Sequence, residues 1–135
     1  MKVFIDTNVF LDAFLNRDDG SAKKVLKFVL QQDMKLFCND ITIVNIVYLI
    51  RKKFSKDEID KIIDKLIDSY TIVPANSKII ADANHSLFKD FEDGIQYFCV
   101  KEIEADLIIT NNKKDFTFSK IEVLSPVEFR LLYLN

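Results

Sequence analysis

The chain has 135 residues, of which 49% are hydrophobic and 30% charged, which suits one buried core with a solvated exterior across residues 1–135. The formal net charge of -2 excludes a nucleic-acid binder that works through bulk positive charge, so any contact with a polyanion must come from local basic patches, on one subunit or on more than one. With only 2 Gly and 2 Pro, a turn-rich all-β architecture is disfavoured, and no apolar run approaches the ~20 residues of a membrane span.

The first six residues, Met1-Lys2-Val3-Phe4-Ile5-Asp6, enter a strand pattern without an apolar leader, which predicts a cytoplasmic protein. Residues 2–5 form a short apolar, β-branched run. Residues 7–15 and 21–32 carry helical spacing, with Val25, Phe28 and Val29 on one face. A second strand is expected over 35–38. Asp40 is placed to cap a helix running through Arg51, whose apolar face is Ile43, Ile46, Val47 and Ile50. Ser55 begins another, with Asp57 and Glu58 in the first turn and a stripe of Ile59, Ile62, Ile63, Leu66 and Ile67.

A third strand spans 71–73 and stops at Pro74. Asn76 opens a helix through about Leu87. Asp90 caps the next, whose stripe is Ile95, Phe98, Cys99, Ile103 and Ala105. Strands at 107–110 and 121–124 follow, the latter stopped by Ser125-Pro126, and residues 126–133 make a last short helix. Strands separated by helical segments imply crossover units and a parallel sheet of about five strands covered on both faces. In such open sheets ligands bind beyond the carboxyl ends of the strands, where the strand order reverses. The two cysteines, Cys38 and Cys99, sit among apolar residues and are expected to be buried and reduced.

Three places at that edge offer chemistry. Asp6 is the first polar residue after the opening strand, and can be either a helix cap or a functional carboxylate. Asp93 lies one turn into the helix that Asp90 caps, on the face it shares with Gln96 and Tyr97. The polar segment Thr110-Asn111-Asn112-Lys113-Lys114-Asp115 follows the fourth strand and reads as a surface loop. Thr110, Asn112 and Asp115 supply hard oxygen atoms, and together with Asp6 and Asp93 they make a set suited to Mg²⁺ or Mn²⁺. Arg51, Lys52, Lys53 and Lys56 form a basic cluster at a helix end. Arg51, Lys113 and Lys114 are the candidate phosphate contacts, Lys113 and Lys114 the better placed because they lie in the site loop. His85, the single histidine, has no evident partner and no expected role.

The opening Met1-Lys2-Val3-Phe4-Ile5-Asp6-Thr7-Asn8-Val9-Phe10-Leu11-Asp12, the segment Asp90-Phe91-Glu92-Asp93-Gly94-Ile95-Gln96 and the segment Ala105-Asp106-Leu107-Ile108-Ile109-Thr110-Asn111-Asn112-Lys113-Lys114-Asp115-Phe116 resemble, in order and spacing, three motifs of the PIN-domain family, including its VapC-like toxin ribonucleases. The resemblance implies a PIN-like, Rossmann-like α/β three-layer sandwich. It also implies divalent-metal-dependent endoribonuclease chemistry on single-stranded or structured RNA, often as the toxin of a toxin–antitoxin pair with an antitoxin protein as partner, and often as a homodimer. It assigns catalysis to Asp6, Asp93 and Asp115, and metal binding to these three and Asn112. Thr7, Asn8, Asn45, Glu92 and Thr110 become supporting groups or weak ligands.

The chain departs from the family pattern at two places. Asn45 stands where the family usually has Glu, and Asn112 where many relatives have Asp. An asparagine offers a carbonyl oxygen but no charge. The alternative reading is therefore a catalytically weakened PIN module that binds RNA or a protein partner. A phosphatase of the haloacid dehalogenase type also places Asp after its first strand, but it needs a second Asp two residues on, where this chain has Asn8.

Overall fold

The computed structural model describes every residue except Phe118 and Asn135. Five strands, β1 (Lys2–Ile5), β2 (Lys35–Asn39), β3 (Thr71–Val73), β4 (Leu107–Ile109) and β5 (Glu122–Leu124), form one parallel sheet in the order β3-β2-β1-β4-β5. β1 is central because it is apolar on both faces. Val3 and Ile5 point into one hydrophobic cluster and Phe4 into the other, as the two-residue period of a strand requires.

Among the described residues, seven helices cover the sheet: α1 (Thr7–Leu15), α2 (Ser21–Leu30), α3 (Asp40–Ile50), α4 (Lys56–Ser69), α5 (Ser77–Asn84), α6 (Phe91–Glu102) and α7 (Pro126–Tyr133). α1 to α4 and α7 bury their apolar faces on the side of Val3, through residues such as Phe10, Val25, Ile46, Leu66 and Phe129. α5 and α6 pack on the side of Phe4 through Ile79, Ala83, Ile95 and Val100. This three-layer arrangement follows from right-handed crossovers. The chain runs β1-β2-β3 in one direction with its helices on one face, then jumps past β1 to β4, which puts α5 and α6 on the other face. The order reverses between β1 and β4, so a crevice opens beyond their carboxyl ends. No helix among the described residues is long and apolar enough to cross a membrane.

Several boundaries differ from the expectations. Asn39 rather than Asp40 is the N-cap of α3. Its side chain accepts from the Ile41 amide at 3.1 Å, while its own amide donates to the Val73 carbonyl at 2.9 Å. α2 stops at Leu30 rather than 32. α5 stops at Asn84, short of Leu87, because the Ser86 hydroxyl donates to the Ala83 carbonyl at 2.7 Å and accepts from the Phe88 amide, diverting the chain into a turn.

α6 stops at Glu102. Glu104 follows with a left-handed φ of 54°, and the amides of Glu104 and Ala105 donate back to the carbonyls of Lys101 and Val100. This is a Schellman closure. It takes Ala105 out of the helix, although Ala105 remains in the core. The expected loop after β4 contains a 3₁₀ turn, Lys113–Phe116. The capping boxes of α4 (Ser55 with Glu58) and α7 (Ser125 with Glu128, after which Pro126 opens the helix) form as the sequence pattern requires. Cys38 and Cys99 are free, buried and on opposite faces of the sheet.

Candidate active site

Asp6 leaves β1 at the reversal point. Its amide donates to the Ile109 carbonyl at 3.0 Å, the last rung joining β1 to β4. It stands at the N-cap position of α1, yet its side chain makes no cap hydrogen bond. Its carboxylate, 0% exposed, instead accepts from Gln96 Nε2 at 2.8 Å on Oδ1 and from Thr110 Oγ1 at 2.7 Å on Oδ2. Burial pushes its pKa above the ordinary value, against the pull of the Thr110 and Gln96 hydrogen bonds and of the Thr7 and Asn8 backbone amides. The two side-chain donors are neutral, so they fix its orientation without balancing its charge.

Gln96 is buried, and its carbonyl oxygen accepts from the Thr7 amide at 3.2 Å. One side chain of α6 thus satisfies the start of α1 and aligns Asp6. The Thr7 hydroxyl is 2.8 Å from that of Thr42, which is buried on the first turn of α3, and it donates to Glu92 Oε2 at 3.4 Å. The Asn45 amide donates to the same Glu92 oxygen. Burial raises the pKa of the half-buried Glu92, and the charges of Asp6 and Asp90 add to the shift.

The Asp90 carboxylate caps α6 by accepting from the Asp93 amide at 3.0 Å. Asp93 itself is 6% exposed. Its pKa is pushed up to about 8, first by burial and then by the charges of Asp6, Asp90, Asp115 and Glu92. Asp115 is exposed on the 3₁₀ turn. Asn112 is half-buried, with its amide donating to Thr110 Oγ1 at 3.0 Å. Thr110 therefore accepts from the turn while it donates to Asp6. Asn8 is half-buried on the first turn of α1.

The structure thus brings Asp6, Thr7, Thr110, Glu92, Asp93 and Asn45 to one edge, with Asp115 near enough for its charge to act on Asp93. It does not bring Arg51 there. Arg51 lies at the far end of α3 from Asn39, with its guanidinium 3.7 Å over the Tyr48 ring. Lys113 is turned toward α7, where its ammonium meets Glu128 at 3.0 Å. Lys114 lines a hollow of about 510 Å³ with Lys89, Asp90, Asp115 and Thr117. Gln96 and Thr42 had no assigned part in the sequence. Their one signal is a polar side chain at a helical position that the fold buries.

Among the described residues, ion pairs join Arg17 to Asp12, Lys56 to Asp60, Lys78 to Asp82, Lys113 to Glu128 and Arg130 to Asp19, and none reaches Asp6, Asp90, Glu92, Asp93 or Asp115. The edge is therefore a concentration of negative charge with no ion pair to it among the described residues, although Lys89 and Lys114 line the hollow beside Asp90 and Asp115. Its donors are all oxygen, the set that Mg²⁺ and Mn²⁺ favour. No three described His, Cys, Asp or Glu side chains converge on one point. Mg²⁺, however, is commonly held by one or two carboxylates plus water and substrate phosphate. The residues present fit such an ion.

The sequence matches the PIN domain family over residues 2–114. It is 28% identical to Ribonuclease VapC1 of Aquifex aeolicus in an alignment covering 95% of this chain and 92% of that one. The fold is similar to a chain of VapBC2 from Rickettsia felis, crystallised on a fragment of its promoter DNA, with a TM-score of 0.69, 16% identity and coverage of 93% of this chain and 98% of that one. A toxin–antitoxin complex from Klebsiella pneumoniae gives a TM-score of 0.68 at 19% identity, covering 92% and 97%.

Proposed function

The chain belongs to the PIN domain family, and on that premise we propose that it is an endoribonuclease that uses Mg²⁺ or Mn²⁺ to cleave single-stranded or structured RNA. The observation that carries this reading is the buried Asp6 carboxylate at the sheet's reversal point, held by Gln96 and Thr110 beside Asp93 and ion-paired to no Lys or Arg among the described residues. Ribonucleases of this family generally depend on a divalent metal.

Asp6 and Asp93 would hold the ion, with Asp115 and Asn112 at the outer edge and Glu92 on the side of α3. When bound, the ion supplies positive charge to the phosphodiester and lowers the cost of deprotonating an attacking water. The protein's own part is orientation. Gln96 and Thr110 keep Asp6 from rotating, Asp90 holds the first turn of α6 under Asp93, and Lys114 offers a phosphate contact at the rim.

We further propose that it is a cytoplasmic toxin with an antitoxin protein as partner, a pairing supported by its similarity to a chain of the Klebsiella pneumoniae toxin–antitoxin complex. The test is cleavage of a generic single-stranded RNA with Mn²⁺ or Mg²⁺, in chelator, and with Asp6→Asn. Cleavage should be lost in chelator and should fall by at least ~100-fold in the variant, the scale of losing one main electrostatic group from a site. Cleavage that persists in chelator would sink the metal-dependent reading. Asn45 and Asn112, which replace carboxylates, favour a second reading, a PIN module that binds RNA without cutting it. That reading expects RNA affinity to survive chelator while no cleavage occurs with metal.

A further inference from the structure

The family pattern expects a carboxylate on α3, and the chain has Asn45 there. Asn45 does not simply leave a gap. Its amide reaches across to α6 and donates to Glu92 Oε2, and the same oxygen receives the Thr7 hydroxyl at 3.4 Å. The side chain that occupies the α3 side of the crevice is therefore a carboxylate after all, delivered from the neighbouring helix. Glu92 is half-buried, pairs with no Lys or Arg among the described residues, and lies close enough to Asp6 for the two charges to interact.

A buried or half-buried carboxylate with no cation is costly unless something positive comes to it. A glutamate at position 45 would meet Glu92 as a like charge in contact. An asparagine there supplies a donor instead, and fixes which way Glu92 faces. The two positions make one functional pair: a carboxylate on one helix and a neutral donor on the other.

We infer that Glu92 supplies to the metal centre the carboxylate that α3 lacks, with Asn45 as the residue that positions it. The inference rests on the metal-dependent reading above and goes beyond it, because it restores the carboxylate that Asn45 removes and leaves Asn112 as the one departure from the family's acidic positions.

The experiment measures the affinity of the full chain for Mn²⁺ alone by calorimetry, with thermal melting in chelator to confirm folding of each variant. Asp6→Asn should abolish measurable binding. Glu92→Gln should weaken it by at least ~10-fold, the lower end of losing a group that serves a metal site. The reciprocal pair Asn45→Glu with Glu92→Gln should recover most of the lost affinity, since it moves the carboxylate back to α3 and leaves a neutral donor on α6. Asn45→Glu alone should melt at lower temperature in chelator and regain that loss when Mn²⁺ is added.

If Glu92→Gln binds Mn²⁺ as the parent does while Asp6→Asn does not, the role of Glu92 is overturned and the metal-dependent reading stands. A folded reciprocal pair with no recovery would overturn the exchange between helices. If Asp6→Asn has no effect on binding, both readings fail.

Discussion

Asp93 has the environment of a protonated acid in the absence of a cation. Its carboxyl lies at about 8 in the folded chain against 3.8 ordinarily, because it is buried and faces the charges of Asp6, Asp90, Asp115 and Glu92. Between those values the folded chain holds a proton that the unfolded chain has released. Stability at fixed temperature then falls as pH rises, since the unfolded state binds fewer protons. The contribution of this residue is therefore most favourable near pH 4, declines through neutrality and is fully lost above about 8. Urea unfolding in chelator across that range should show a downward trend that Asp93→Asn lessens, because the amide has no proton to lose while Asp6 and Glu92, also raised, keep part of the slope. Equal pH slopes in the two proteins would mean that Asp93 ionises as it does in the unfolded chain.

The elements show how local chemistry can act without an obvious sequence mark. Glu104 ends α6 in a left-handed conformation, φ 54°, where glycine is the usual residue. The left-handed state costs a residue with a Cβ about 1–2 kcal/mol, and part of the gain from glycine is lost to its freer unfolded chain. Glu104→Gly should therefore stabilise the protein by about 0.5–1 kcal/mol, raising the melting temperature by a few degrees. A lower melting temperature would show that the exposed Glu104 side chain contributes more than the strain costs.

The missing glycine also explains why the apolar stripe carried the expected helix past its true end. Elsewhere, periodicity and capping patterns placed each helix, although Asn39 and not Asp40 caps α3, and α2 and α5 stop short of their expected ends. Asp90, Ser55 and Asn76 are read correctly as helix starts because a cap and the amide it satisfies lie within three residues of each other. The site is legible in the same unequal way. Asp6 and Asp93 stand out because each begins or follows an element at the sheet edge. Gln96 and Thr42 do not, because their partners, Asp6 and Thr7, lie 90 and 35 residues away in the chain. Only the parallel packing of β1 and β4 with α6 above them makes Gln96 adjacent to Asp6. The Asn45–Glu92 pair is equally long-range, which is why position 45 read alone suggests a lost ligand.

At the scale of the whole molecule, the outer face of α3 is an exposed apolar surface next to the site. Val44, Tyr48 and Leu49 are 67%, 62% and 49% exposed on the same helix that presents Asn45 to the site. Val44 and Tyr48 are one turn apart and form a short apolar ridge, with Arg51 stacked on the Tyr48 ring. A second copy of the chain suits this ridge. Two α3 helices crossing on a twofold axis would set Val44 of each against Tyr48 of the other, the self-complementary pairing of an isologous contact. The net charge of -2 gives such pairing a further use, because one protomer has no net positive charge to hold a polyanion and two would pool the basic groups at their rims. The chain is therefore expected to sediment as a dimer. Val44→Asp should shift it toward monomer, since each new charge would be buried against the apolar Tyr48 of the other protomer, and it should leave the melting temperature of the monomer nearly unchanged because an exposed position carries little packing. Sedimentation as a monomer at high concentration by the parent chain would rule out the pairing, and a Val44→Asp protein that stayed dimeric would move the contact to another face.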